Sequence, residues 1–225
     1  AKTSDAARTS YLFTDLKPDN ANETIRLAQL GGFRYILVYS TTWSSSYGSY
    51  PINKKNFPAG EPQLREVVDR CHAAGLKVGM HMLCNFVGKN DPLVRPTPDP
   101  RLLKDAHAIL AADVPPDADS ITAIAPLAGF SASRPARGKF GGLTVQIDDE
   151  LITYQEIEKS DGKTLLHCVR GVFGTRKVAH KKGATIHHLV ELAGSFLADL
   201  RTNLLDQLAD RVSGVINRCG FDMIY

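Results

Sequence analysis

One sequence unit constrains this chain most: a stretch with helical periodicity, then a glycine, then a short apolar run. Its three copies end in GGFRYILVY, GLKVGMHM and CGFDMIY. In the last copy, residues 203–225, apolar residues recur at helical spacing, Gly220 follows as the expected C-cap, and Phe221 begins an apolar run. Helices that close on glycine just before buried strands predict parallel strands with right-handed crossovers.

The same alternation holds from the start of the chain. It predicts an α/β protein with parallel strands, and the long loops at one end of these strands with short loops at the other favour a partial TIM-type barrel that contains the first four strands. The predicted strands are residues 11–16, 34–39, 77–82 and 221–225, and the predicted helices between them are residues 21–30, 63–74 and 203–219.

The middle of the chain has a different sequence pattern. Residues 101–112 keep helical periodicity after Asp99-Pro100, a capping residue followed by a proline suited to the first helical position, so they predict one more helix. After that, short apolar runs alternate with turn residues, which predicts a small antiparallel β domain inserted into the barrel. The predicted domains are residues 1–113 (first part of the barrel), 114–188 (inserted β-rich domain) and 189–225 (barrel continuation, truncated at its C-terminus).

Composition excludes several classes of partner. The net charge of +3 is too small to argue for nucleic acid. No apolar run reaches the roughly 18 residues of a membrane span. The cysteine spacings match no metal motif, and we expect free thiols, no cofactor and no metal. The polar N-terminal residues have the character of a trimmed chain, and we expect a secreted or periplasmic protein.

Candidate functional residues follow from the rule that parallel α/β folds bind ligands at the carboxyl ends of their strands. Asp15 follows the first strand, Tyr39 ends the second, and His81 ends the third. We predict Asp15 and His81 as catalytic, and Tyr39 as substrate-binding together with Asn85 and Asp91 on the next loop. The alternatives are that Asp15 caps a turn and that His81 is a satisfied core histidine.

The loop at residues 40–60 is polar but carries aromatic side chains. Trp43, Tyr47 and Tyr50 are predicted to bind substrate, because aromatic rings stack on the apolar faces of sugars while Ser and Asn bond hydroxyls. The alternative is that these rings pin the loop to the body of the protein. Further along, the histidines at 180, 187 and 188 lie among basic residues, and we interpret them as a solvated basic edge.

The segments GFRYILVY, GLKVGMHM and CGFDMIY resemble the first half of a (β/α)8-barrel glycoside hydrolase, most like the α-galactosidase-related group. In that group the third segment begins strand four and runs into an essential aspartate, a position beyond Tyr225 here. The resemblance implies hydrolysis of glycosidic bonds in a complex polysaccharide, with carbohydrate as partner and the catalytic carboxylates largely beyond Tyr225.

A second resemblance supports a different hypothesis. The stretch from IDDELITY through CVRG to HKKGATI is similar to a small β module of phage tail and cell-surface proteins. It implies a non-catalytic carbohydrate-binding or adhesive protein. A third hypothesis is a polysaccharide lyase that uses His81 and Tyr39 as base and acid. Because half a barrel leaves an apolar sheet face uncovered, we also expect a homo-oligomer or a poorly stable chain.

Overall fold

The computed structural model describes residues 10–136 and 138–225. They divide into two compact units: residues 10–84 with Asp206–Tyr225, named here the parallel-sheet unit, and Asn85–Leu205, named the antiparallel unit. The helices are α1 (Ala21–Leu30), α2 (Ser40–Trp43), α3 (Glu61–Ala73) and α4 (Leu204–Cys219), with a 3-10 turn at Val172–Gly174. The strands are β1 (Tyr11–Thr14), β2 (Tyr35–Val38), β3 (Lys77–Met80), β4 (Phe86–Val87), β5 (Lys104–Ile109), β6 (Ile121–Thr122), β7 (Thr144–Ile147), β8 (Glu150–Thr153), β9 (Glu156–Ile157), β10 (Thr164–Leu166), β11 (Thr185–Leu189), β12 (Glu191–Leu192), β13 (Ser195–Leu197) and β14 (Met223–Ile224).

The parallel-sheet unit is built on one four-stranded sheet in the order β1-β2-β3-β14. Its neighbours are all parallel, with Tyr11 opposite Tyr35, Tyr35 opposite Lys77, and Met223 opposite Gly79. Helix α1 connects β1 to β2, α3 precedes β3, and α4 precedes β14. The predicted alternation of helices and parallel strands is confirmed, and the chain has a mixed α/β fold.

The two faces of this sheet have different surroundings, because successive side chains of a strand point to opposite sides. Ile36, Val38, Val78 and Met80 share one face and are buried in the core of the unit. The helices supply the other side of this core through Ala21 and Ala28 of α1, Leu64, Val67, Val68 and Cys71 of α3, and Val212, Val215 and Cys219 of α4.

Glycines fix two features of this unit. Gly75 and Gly220 follow α3 and α4 with φ of +78° and +75°, the left-handed conformation that ends a helix at low cost for glycine. Gly79 lies within β3, where a Cβ atom would be 2.8 Å from Met223 Cγ and 2.9 Å from Leu37 Cδ1. The close approach of these two side chains over Gly79 therefore requires a residue without a side chain.

The antiparallel unit contains three sheets, in the orders β5-β11-β7-β8, β6-β10-β9 and β12-β13-β4. Strands β7 and β8 form the predicted hairpin at Asp148-Asp149, and Asp148 adopts the positive φ of +50° that tight hairpin turns need. The core of this unit consists of apolar side chains from all parts of its sequence, including Leu110, Ile121, Val145, Ile147, Ile152, Leu165 and Ile186.

A buried ion cluster crosses this unit. The Glu150 carboxylate, fully buried, accepts hydrogen bonds from Arg170 Nε and Nη2 and from the backbone N–H of Gly171 and Val178, and it lies 2.8 Å from His180 Nε2. Next to this cluster in the chain, the Thr175 hydroxyl accepts a hydrogen bond from the backbone N–H of Leu151. The residues that carry the resemblance to the β module thus meet around one carboxylate.

The predicted solvated basic edge is wrong for two of its histidines. His180 and His188 are each 1% exposed. His180 lies between Asp148 and Glu150, and His188 Nδ1 is 2.5 Å from Asp105. Carboxylates distant in sequence satisfy both rings, so neither needs water.

The helix predicted for residues 101–112 is also wrong. Residues Lys104–Ile109 form strand β5, which pairs with β11 so that His107 lies opposite His187. The apolar residues of this segment fit helical spacing, but KDAHAI also alternates between side chains of different burial. Pairing with β11 decides between these two patterns.

The limits of the units differ from the predicted domain boundaries. The units divide after Cys84 and after Leu205, not at residues 113 and 188. The reason is strand pairing: β5 joins β11, and β4 joins β13, so both flanking segments belong to the antiparallel sheets.

Candidate functional site at the carboxyl end of the parallel sheet

Asp15 is held at the end of β1 by the segment that follows β2. Its carboxylate accepts a hydrogen bond from the Thr42 hydroxyl. Thr42 is buried on the short helix α2, which begins at Ser40 directly after the second strand. Asp15 itself is exposed. A carboxylate that is anchored on one side and open on the other can accept hydrogen bonds from ligand hydroxyls.

His81 follows the third strand and belongs to a short chain of hydrogen-bonded polar side chains. Its Nδ1 lies 3.2 Å from Ser40 Oγ, and Ser40 donates in turn to the Tyr47 hydroxyl at 3.5 Å. A tautomer with the proton on Nδ1 would donate to Ser40 and leave Nε2 as an acceptor. Burial lowers the pKa of His81 from its usual value, so the ring is neutral at pH 7.

Aromatic rings cover the sheet face that is opposite the helices. Phe13 stacks on Tyr39 with ring centroids 4.0 Å apart, and the His81 ring lies 5.4 Å from Phe13. Phe13, Tyr39 and Tyr225 are 37%, 40% and 63% exposed. This face therefore presents stacked, solvent-accessible rings beside Asp15.

Rings from the two outer strands meet over this sheet face. Tyr225 follows β14, and its ring lies 6.2 Å from Tyr11 and 6.4 Å from Phe13, both on β1. These two strands are the outer strands of the sheet, and in a flat sheet three spacings of about 4.8 Å would separate them by about 14 Å. Contact between their rings fits a sheet that curls toward this face.

Trp43 and Tyr50 do not line the site, which corrects their prediction as substrate-binding residues. Trp43 is 0% and Tyr50 2% exposed, and their rings stack at 5.3 Å. Trp43 Nε1 donates to the His81 carbonyl, and the Tyr50 hydroxyl donates to the Leu83 carbonyl at 2.6 Å. Both rings pin the loop to the body, because the residues after β3 satisfy their polar atoms.

The remaining predicted residues have separate positions. Tyr47 is half-buried and supports His81 through Ser40, so it acts on the site indirectly. Asn85 and Asp91 belong to the antiparallel unit. Asp91 is 0% exposed and accepts from Leu93 N–H, a turn contact that corrects its prediction as substrate-binding. The structure therefore brings together Asp15, Tyr39, His81 and Tyr47.

The sequence-based search missed three residues of this site. Phe13 and Tyr225 carry exposed rings, and Thr42 anchors Asp15. Period-two alternation contained the signal for Phe13, since it precedes Asp15 by two positions on the same face of β1. No local signal marks Thr42, because its partner lies 27 positions earlier.

Among residues 10–136 and 138–225, no group of three or more His, Cys, Asp and Glu side chains is placed to hold a metal ion. In the same residues no helix combines the length and apolar character needed to cross a membrane.

Comparison with known proteins gives structural neighbours only. No protein-family model matches the chain, and no curated protein matches its sequence. Among solved structures, the α-galactosidase from Lactobacillus brevis matches with a TM-score of 0.51 and 13% identity over 96% of this chain. The isomaltulose synthase from Erwinia rhapontici matches with a TM-score of 0.46 and 10% identity, covering 100% of this chain and 35% of that one. The α-galactosidase from Thermus thermophilus has a TM-score of 0.33 and 18% identity, covering 43% of this chain and 20% of that one.

Of these three structures, the Lactobacillus brevis enzyme has a TM-score above 0.5. This chain spans 20% of the length of that enzyme. At 13% identity the likeness concerns the fold and not the activity. The chain has a mixed α/β fold, with a four-stranded parallel sheet, like that of a glycoside hydrolase.

Proposed function

We propose that the parallel-sheet unit is the first four strands of a (β/α)8 barrel, and that the protein is a glycoside hydrolase acting on a complex polysaccharide. The strand order, the helices packed on one face and the curl of the sheet support the barrel. The antiparallel unit then lies between barrel strands three and four as an insertion. A polysaccharide substrate agrees with the expectation of a secreted or periplasmic protein.

One observation carries the proposal: Asp15, Tyr39 and His81 lie at the carboxyl end of a sheet face that presents aromatic rings. In a barrel this face is the interior and this end is the mouth where substrates bind. The stacked rings of Phe13 and Tyr39 offer a platform for the apolar face of a sugar. Asp15 and neutral His81 offer acceptors for sugar hydroxyls.

The catalytic pair is proposed to be completed by other strands of the barrel. Glycosidases need two carboxyl groups, about 5–5.5 Å apart for retention or about 6.5–9.5 Å for inversion. Asp15 is the acidic residue among those that directly follow β1, β2 and β3. Asp15 is therefore proposed to bind substrate or to act with a carboxylate beyond Tyr225.

The test is glycan binding by calorimetry, with a panel of neutral oligosaccharides that includes α-galactosides. Tyr39→Ala should weaken binding about tenfold, about 1.4 kcal/mol, a typical contribution of one aromatic contact. Asp15→Asn should weaken it as well. The control is Leu30→Ala, since Leu30 is an exposed side chain of α1, a helix that packs against the opposite face of the sheet.

Equal affinity in Tyr39→Ala, Asp15→Asn and the control would refute a site at this end of the sheet. Glycan binding that survives all three changes would instead favour the alternative hypothesis, a non-catalytic binding or adhesive protein that acts through the antiparallel unit.

A further inference from the structure

The antiparallel unit contains a cavity of about 720 Å³. Its walls come from residues 134–136, 138–139 and 141–144, the ends of the β7–β8 hairpin, and the turn between β12 and β13. This volume lies within the range of about 300–1,000 Å³ that is usual for small-molecule sites. Local sequence patterns do not predict this cavity, because its walls are far apart in the chain.

An oriented ion pair forms one wall. Glu191 accepts from Lys89 Nζ at 2.5 Å and from the Thr144 hydroxyl at 2.6 Å. The side chains of Lys89 and Glu191 are only 21% and 16% exposed. Lys89 also lies 4.5 Å from the centre of the Phe173 ring. Removing such a pair from water costs free energy, and its hydrogen bonds hold both side chains in place beside the cavity.

Two glycines in the cavity wall allow close contacts: Gly142 with Glu191, and Gly141 with Pro135. A Cβ atom on Gly142 would lie 2.7 Å from Glu191 Cγ, and one on Gly141 would lie 2.7 Å from Pro135 Cγ. Gly141 also has φ of +135°. The backbone of Gly141 pairs with that of Glu191 in both directions. The cavity wall is thus fixed by specific contacts and not by loose packing.

The charge around the cavity is positive. Arg134 and Lys139 are exposed cations at its edge, while Glu191, the acidic residue among the described lining residues, is already paired with Lys89. Apolar side chains, including Leu143 and the 55% exposed Val169, form the rest of the surface. An occupant that matches both features has an apolar ring face and a negative charge.

We propose that this cavity binds an acidic saccharide, with its carboxylate or sulfate at Arg134 and Lys139 and its ring against the apolar wall. The preference for an anion follows from the cavity itself, whereas the choice of a sugar rests on the proposed function. The site would hold an acidic part of the polysaccharide apart from the residues proposed to act at the parallel sheet.

Calorimetry on the full chain tests the proposal and distinguishes a carboxylate ligand from a sulfate ligand. Oligogalacturonate is compared with its neutral methyl ester, and κ-carrageenan oligosaccharides, which are sulfated, with neutral agarose oligosaccharides. We expect at least one acidic probe to bind about tenfold more tightly than its neutral counterpart. The double variant Arg134→Ala/Lys139→Ala should remove that preference, about 1.4 kcal/mol.

The matched control is Arg176→Ala/Lys159→Ala, which removes the same charges from exposed positions of the antiparallel unit outside the cavity lining. Equal binding of acidic and neutral probes, or equal losses in the two double variants, would overturn the proposal. Because no turnover is needed, a chain without hydrolase activity still tests the cavity.

Discussion

Replacing Glu150 tests whether the buried ion cluster organises the antiparallel unit. Its carboxylate has five contacts, four from N–H donors of Arg170, Gly171 and Val178 and one from His180. Arg170 and Glu150 side chains are 2% and 0% exposed. Removing one partner of a buried pair leaves the other charge uncompensated and typically costs about 3–5 kcal/mol. Glu150→Gln should therefore lower the free energy of unfolding by about that amount, a large part of the roughly 5–15 kcal/mol of a normal domain.

Urea denaturation followed by far-UV circular dichroism measures this loss. Trp43 is the single tryptophan and belongs to the parallel-sheet unit, so its fluorescence separately reports the unfolding of that unit. The double variant Glu150→Gln/Arg170→Met should lose less stability than the sum of the single variants, because it leaves no charge unpaired. Single-variant losses below about 1 kcal/mol that simply add in the double variant would refute the reasoning.

Two further predictions concern packing and pH. Trp43→Ala should lower the free energy of unfolding by about 3–5 kcal/mol in urea titrations, because the ring is fully buried; a loss below about 1 kcal/mol would contradict its role as a packed ring. Burial alone would raise the pKa of Glu150, but the hydrogen bonds from Arg170, Val178 and His180 outweigh it and hold the pKa below its usual value. The resulting stability is fully present above about pH 4.3, the unfolded value, and is lost as pH falls through the folded pKa. Glu150→Gln should therefore show a smaller loss of stability on acidification in thermal melts, and an equal loss would show that Glu150 does not contribute.

Much of the parallel-sheet unit follows from local sequence. Gly75 and Gly220 mark the ends of helices, and the apolar runs after them have few alternatives to buried strands. Asp15, Tyr39 and His81 could be placed at one end of the sheet because parallel strands bring their carboxyl ends together. These steps need only patterns a few residues long.

The errors concern contacts between distant segments. Composition alone does not distinguish a ring that faces solvent from one that faces inward, and helix α2 turns Trp43 into the core. His180 and His188 are buried because carboxylates far away in the sequence meet them. The segment that forms β5 is compatible with both the helical and the strand periodicity, and its pairing with β11 makes it a strand.

The antiparallel unit was predictable in kind but not in extent. Turn residues such as Asp148-Asp149 identified the hairpin. Strands β4 and β13 are two and three residues long, too short to give a periodic signal. Because β4 pairs with β13, the segments at both ends of the unit belong to its sheets. The unit therefore extends beyond the predicted domain limits.

The most direct test of the proposed carbohydrate site is the NMR signal of the His81 imidazole during titration with a neutral oligosaccharide. The chain has seven histidines, and the His81 resonances are assigned by their loss in His81→Gln. We predict that the glycan shifts these resonances and that Tyr39→Ala abolishes the shift. If His81 resonances stay unchanged while the glycan is bound, the ligand does not occupy the carboxyl end of the parallel sheet and the proposed site is wrong.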